Sequence, residues 1–214
     1  MAVYPYPVYY RPARFNLSVA APDGEPVTLA EAKAQCYVSH SDDDTLLTRL
    51  ISEARETVEN MTGRALVTQT RVLRIDGFPK GWDQVIELPG GKIQSVTSVQ
   101  YQDTDNATQT LSTSIYETFL SVDGATGSIG LAYDQEWPDT TQHGLPVVIT
   151  YVAGWAGSGS PIDYTANVPE TIRGAILRLV ARAYEHRGDG MSNQIVEDDY
   201  ARRMLAPWVV RTIR

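Results

Sequence analysis

The chain has 214 residues, 43% hydrophobic and 21% charged, enough apolar content for a folded core and too little charge for a disordered chain. Its 26 acidic residues outnumber 18 basic ones, and the net charge of −8 excludes gripping DNA phosphates by bulk charge. It remains compatible with surrounding DNA, because a like-charged lumen repels phosphates.

The single cysteine, Cys36, excludes an intrachain disulfide and suits a reducing cytoplasm. The start, Met-Ala-Val-Tyr-Pro-Tyr-Pro, lacks the blocks of a signal peptide, and no apolar run reaches the ~20 residues of a membrane span. The most apolar stretch, Leu145 to Trp155, reads as a buried strand.

Residues 1–26 interleave Tyr4, Tyr6, Tyr9, Tyr10 and Phe15 with Pro5, Pro7 and Pro12. Proline fixes φ and removes amide donors, so the segment is predicted as an extended arm. Two readings fit that composition: a disordered leader, or an arm that docks on a neighbouring subunit. A short helix comes next over 28–38, where Thr28 and Glu31 form a capping box. The clearest helix spans 42–62, capped by Ser41 or Asp42. Asp42, Asp43 and Asp44 complement the positive end of its dipole. Leu46, Leu47, Leu50, Ile51, Ala54, Val58 and Met61 recur at helical spacing, and Gly63 ends the helix.

From Ala65 to about Val152 the pattern becomes that of strands. They are predicted at 70–75, 84–88, 93–101, 109–111, 116–122, 128–133 and 147–152, separated by turn signals such as Asp76-Gly77 and Pro89-Gly90-Gly91. The imperfect alternation of Val96, Val99 and Tyr101 predicts a bulge. Short strands so spaced predict an antiparallel sandwich or barrel-like domain. Residues 154–168 form a Gly/Ser/Pro loop. Pro169 opens a helix with one face of Ile172, Ala175, Ile176, Leu179, Val180, Ala183 and Tyr184 and a second, small-residue face of Gly174, Leu177 and Ala181. Gly188 is expected to end it. A last helix is predicted over 197–205. The tail beyond it is apolar and basic, and reads either as a docking peptide or as a segment packed on its own domain.

The predicted fold class is α+β: a helical bundle from N- and C-terminal helices with an inserted antiparallel β domain. The expected divisions are an arm at 1–26, a helical domain at 27–64 and 168–206, a β domain at 65–153, a linker at 154–167 and a docking tail at 207–214.

No catalytic set is convincing. His40, His143 and His186 sit in unrelated segments, and no Gly-x-Ser-x-Gly elbow is present. Gly157-Ser-Gly-Ser160 lacks the lysine and context of a phosphate loop. Adjacent helical residues diverge by ~100°, so Asp42 to Asp44 do not converge on a metal. Asp103-Thr-Asp105 lacks the glycine and glutamate of a calcium loop and reads as a hairpin turn. Cys36 reads as core rather than nucleophile. No cofactor, metal or catalytic residue is expected.

Pro26-Val-Thr-Leu-Ala-Glu-Ala-Lys33, His40-Ser-Asp-Asp-Asp-Thr-Leu-Leu, Ile51-Ser-Glu-Ala-Arg-Glu-Thr-Val-Glu and Thr62-Gly-Arg-Ala-Leu-Val-Thr-Gln69 together resemble the phage head–tail connector (adaptor) family. Val147 to Gly154 leading into Val168-Pro-Glu-Thr-Ile-Arg-Gly-Ala-Ile, and the final Leu205-Ala-Pro-Trp, extend the likeness over most of 26–210. No single motif is specific; their ordered succession is.

The resemblance implies a structural, non-enzymatic virion neck protein of a tailed phage or gene transfer agent, assembled in the bacterial cytoplasm. It implies a ring, twelve-fold, under the portal protein, with DNA passing through without specific binding and a stopper or tail-terminator protein on the opposite face. It implies no membrane. Carried over, the portal-binding residues are Arg203, Met204, Leu205, Trp208, Val209 and Arg211. Subunit packing falls to the helices, through Leu50, Ile51, Ile172, Ile176, Leu177 and Leu179. The aromatic arm from Met1 to Pro22 departs from the family.

Two other classes compete. A receptor- or carbohydrate-binding β module requires aromatics such as Trp82 and Trp137 clustered on one face. A small hydrolase requires His143 or His186 beside a nucleophile and a carboxylate.

Overall fold

The computed structural model describes residues 15–80, 84–120, 126–186 and 199–210. It is an α+β protein of two compact units, and the chain passes between them at 21/22, 68/69 and 153/154.

Among the described residues the first unit carries eight strands in two antiparallel sheets. They are β1 (Phe15–Val19), β2 (Gln69–Ile75), β3 (Val85–Leu88), β4 (Ile93–Gln102), β5 (Thr108–Thr110), β6 (Tyr116–Leu120), β7 (Gly127–Leu131) and β8 (Val147–Ala153). A five-stranded sheet runs β1-β2-β8-β4-β5 and a three-stranded sheet runs β3-β7-β6. Side chains alternate across each strand, so β2 and β8 point Leu73, Ile75, Val147, Ile149 and Tyr151 into the core. Their register pairs Leu73 with Ile149 and Ile75 with Val147. The bulge predicted in β4 is present, with register shifts between Ile93 and Ser95 and between Val96 and Ser98.

Tyr151 is fully buried, and its hydroxyl donates to the Pro89 carbonyl at 2.7 Å. Burial pushes its phenol well above the ordinary range, with the Arg71 guanidinium pulling the other way. Arg71 is itself buried, and its Nε has no hydrogen-bond partner among the described residues.

The second unit carries α1 (Leu29–Gln35), α2 (Asp44–Thr62), α3 (Glu170–Glu185), α4 (Asp199–Leu205) and a 3₁₀ turn at Ala206–Trp208. The capping box of α1 is formed: the Glu31 amide donates to Thr28 Oγ1 at 3.2 Å, and the Thr28 amide donates to Glu31 Oε2 at 2.8 Å. On α2, Leu47, Leu50, Ile51, Ala54 and Val58 form one buried face against Ile172, Ala175, Ile176, Leu179 and Val180 of α3. Helix α2 stops at Gly63, whose φ of 69° is the left-handed conformation glycine adopts without penalty. Among the described residues no helix is long and apolar enough to cross a membrane.

Four expectations are corrected. Phe15 to Val19 are not part of a free arm; they form β1, paired with β2 from Phe15↔Ile75 to Val19↔Arg71. The stretch 154–167 is not a linker. Trp155 is buried in the helical core, Tyr164 packs against that core, and the Trp155 amide donates to the Leu66 carbonyl. A Cβ on Gly154, where φ is 104°, would lie 2.1 Å from the Val67 carbonyl oxygen, so this close crossing requires glycine. Helix α2 begins at Asp44, and its cap Asp43 makes no side-chain capping bond; instead Asp43 accepts from the Tyr184 hydroxyl. Helix α3 ends at Glu185 with His186 as its cap. Gly188, Glu197 and most of the proline-rich arm lie outside the described residues.

Candidate functional site

The C-terminal segment is rooted in the helical unit. On α4, Ala201 and Leu205 are buried in its core. Met204 is half-buried, and its methyl lies 3.4 Å from where a Cβ on Gly174 would stand. The small-residue face of α3 therefore meets Met204. Arg178 lies over the Tyr200 ring, 4.2 Å from its centroid, a cation–π contact worth ~0.5–1 kcal/mol at an exposed site.

Past Leu205 the chain is held by contacts with distant residues. Trp208 packs edge-on against Trp155, with ring centroids 6.2 Å apart at 74°. Arg64 Nε donates to the Trp208 carbonyl, and the Arg64 guanidinium lies 6.0 Å from the Trp208 ring centroid. The Val210 amide donates to the Thr62 carbonyl at 2.8 Å. Arg64 is 4% exposed, and burial lowers its pKa, yet a guanidinium stays protonated at physiological pH. The αL turn at Gly63 brings the chain off α2 so that Thr62 and Arg64 both engage the tail. Sequence reasoning misses Arg64 and Trp155 as tail contacts; Arg64 is 144 residues from Trp208, and no local pattern links them.

The predicted portal-binding residues therefore divide. Leu205 is buried and Met204 is half-buried, Trp208 packs on the core, Arg203 and Val209 are exposed, and Arg211 lies outside the described residues. The expected docking tail is, as far as Val210, packed on its own unit. Of the predicted subunit-packing residues, Leu50, Ile51, Ile172, Ile176 and Leu179 are buried in the core of the helical unit, and Leu177 is half-buried against it. Side chains enclosed in this way have no surface left for a neighbour.

The acidic run at the start of α2 is accounted for locally. Asp44 pairs with Lys33 at 2.6 Å, Asp43 holds Tyr184, and Asp42 points outward 3.9 Å from His40. Among the described residues no group of three metal-ligating side chains gathers. Asp103 organises the β4–β5 hairpin, accepting from the amides of Asp105 and Ala107 and from Gln109 Nε2. Its carboxyl is held below the usual carboxylate value, first by Gln109 and then by the Ala107 amide. His40, His143 and His186 are exposed in separate loops and termini.

The β unit contains an open cavity of about 250 Å³. Phe78 and Trp137 stack at its wall, with centroids 4.7 Å apart and planes 5° from parallel. The Trp137 indole N–H donates to the Gln84 carbonyl. Trp82 lies outside the described residues, so the expected cluster of Trp82 with Trp137 does not fall among them.

The family model described as phage gp6-like head-tail connector protein matches residues 26–147. Three solved chains share the fold. One, from the neck of an empty gene transfer agent particle computed with C6 symmetry, is 19% identical with a TM-score of 0.73, covering 94% of this chain and 97% of its own. Another, from the virion of a native gene transfer agent particle, is 18% identical with a TM-score of 0.72, covering 92% and 97%. A third, from the neck of a native gene transfer agent particle computed with C12 symmetry, is 18% identical with a TM-score of 0.69, covering 94% and 97%. No curated protein sequence matches significantly.

Proposed function

This chain belongs to the phage gp6-like head-tail connector protein family, and from that membership we propose that its copies form a twelve-membered ring in the neck of a tailed phage or gene transfer agent particle. The role is structural and not enzymatic. The ring lies beneath the portal protein, DNA passes through its lumen, and a stopper or tail-terminator protein meets its opposite face. Assembly takes place in the bacterial cytoplasm.

The family match over residues 26–147 carries this reading. The C6 and C12 symmetries of the similar neck chains support twelve, since a twelve-fold ring satisfies both. The net charge of −8 supports passage of DNA without adhesion. A bundle of the N- and C-terminal helices gives each subunit a rigid body. With Leu50, Ile51, Ile172, Ile176 and Leu179 enclosed, lateral packing falls to partly exposed positions such as Leu177.

The tail from Arg203 to Arg214 is the portal-binding segment. Leu205 is its root, and Arg203, Met204, Trp208, Val209 and Arg211 are the contact residues. The segment's combination of basic and apolar side chains on an acidic protein supports this role. Binding requires Trp208 to leave Trp155 and Arg64 or to offer its free edge in place.

Electron cryo-microscopy focused on the neck of the particle tests the proposal. A ring of this chain between portal and tail, with Trp208 at the portal, is the expected result. Density at a tail tip or capsid surface rejects it.

A further inference from the structure

We propose that, within the ring proposed above, the Tyr37 turn of one copy docks on the Arg178 and Arg202 face of the next, a head-to-tail contact between two different patches of the helical unit.

Helix α1 ends in a Schellman turn. The Val38 amide donates to the Lys33 carbonyl at 2.9 Å, and the Tyr37 amide donates to the Ala34 carbonyl at 3.3 Å. This turn holds the residue after the cap in the left-handed region, and Tyr37 has a φ of 55° there. Glycine fills the position without penalty, whereas a bulky side chain is strained in it. The Tyr37 side chain is 97% exposed, so no packing among the described residues offsets that strain. Strained backbone gathers where a contact or a reaction needs it, and tyrosine is among the residues that dominate interface energies.

The two patches carry opposite charge. Close to Tyr37 in the chain come Asp42, whose side chain is 90% exposed, Asp43 and Asp44. The Tyr184 hydroxyl donates to Asp43, which brings its exposed neighbour Glu185 to the same end of the unit. The cations at this end, Lys33 and Arg182, are both half-buried, and Lys33 is paired with Asp44; His40 and His186 are exposed. On the other patch Arg178 is exposed over the Tyr200 ring, and α4 adds exposed Arg202 and Arg203 against one acid, Asp199. Met204 of α4 lies beside Gly174, and from Gly174 to Glu185 helix α3 rises ~16 Å, so the patches are separate. Contact between separate patches is heterologous, the kind that closes into a ring. The Tyr37 ring meets guanidinium groups there, a cation–π contact, with Asp42 beside it as their counter-charge.

The test uses the full chain assembled on purified portal rings, with Tyr37 replaced by a photo-crosslinking benzoyl-phenylalanine. Half the copies carry heavy nitrogen, so that crosslinks between copies are told from those within one. Crosslinks from position 37 to the 178–203 region of a second copy are expected. Tyr37→Gly should keep the melting temperature at or above that of the unaltered chain, because it relieves the strained φ, and cut ring occupancy on the portal several-fold. Arg202→Glu should cut occupancy likewise, and Asp42→Arg in the same chain should restore it. Rings that crosslink from position 37 only within a copy or to another surface, or that form equally well with Tyr37→Gly, overturn this contact and leave the ring itself standing. No ring of the unaltered chain on the portal overturns the ring, and this contact with it.

Discussion

The buried guanidinium of Arg64, beside the αL turn that ends α2, donates to the backbone carbonyl of Trp208, 144 residues further along the chain. The tail is thus fastened by a charged donor to a main-chain acceptor, beside the packing of the Trp208 ring on Trp155. Arg64→Ala should cost ~1.5–3 kcal/mol, the range for a hydrogen bond to a charged group. Amide exchange at Val209 and Val210 should accelerate, while exchange in α2 stays slow. Equal acceleration throughout the unit would mean that Arg64 holds the whole core and not the tail.

Removing Pro207 to Arg214 should abolish capture of the chain by portal rings and leave the helical unit folded, because Ala201 and Leu205 keep their places in the core. Circular dichroism and a portal pull-down read the two effects separately. Portal capture at the full-length level by the shortened chain would remove the tail from the interface.

Arg55 is 5% exposed and bridges Glu25 at 3.0 Å and Glu59 at 2.9 Å. Glu59 in turn accepts from the Leu66 amide. Arg55→Ala leaves two carboxylates facing each other without their cation, and should cost ~3–5 kcal/mol in urea unfolding. A loss below ~1 kcal/mol, the level of an exposed pair, would show that solvent reaches the network.

Cys36 caps the end of α1 beside the core, where burial first and the charge of Glu185 second push its thiol pKa up. The thiolate is the reactive form, so alkylation at neutral pH should be slower than for a free cysteine. Glu185→Gln should raise the rate by removing the smaller of the two causes. A rate equal to that of free cysteine would refute the burial.

The depressed pKa of Asp103 has a definite sign. Its stabilisation of the β4–β5 hairpin is present above the unfolded carboxylate value and is lost as pH falls through the lower folded value. Exchange at Ala107 and Gln109 should stay slow to below pH 3.8, the ordinary value, and Asp103→Asn should move the loss of protection.

The helices and most strands are legible because their apolar residues repeat at the period of the element, as Leu47, Leu50, Ile51 and Ala54 do on α2. Strand β1 is not, because Phe15-Asn-Leu-Ser-Val gives only a short alternation at the end of a proline-rich block. Its strand state comes from β2, more than fifty residues away in sequence. The burial of Arg55 has no local signal, because Glu25, from the loop before α1, closes over it. Asp43 reads as one of three acids on the positive end of the α2 dipole, and the Tyr184 hydroxyl claims it. The capping box of Thr28 and Glu31, by contrast, is complete within four residues and needs no partner from elsewhere. In the tail, composition leaves docking and packing on its own domain both open, and only the folded chain shows Arg64 and Trp155 as what holds it.

The order β1-β2-β8 also bears on how the protein is made. Strand β2 takes one partner from the start of the chain and the other from residues 147–153. On a ribosome adding ~5–20 residues per second, roughly 4–16 s separate the completion of β2 from that of β8. Helix α2 waits longer still for α3. Through that interval the apolar faces of both are open together, so the nascent chain, and not the finished subunit, is the stage most exposed to aggregation and to chaperone capture.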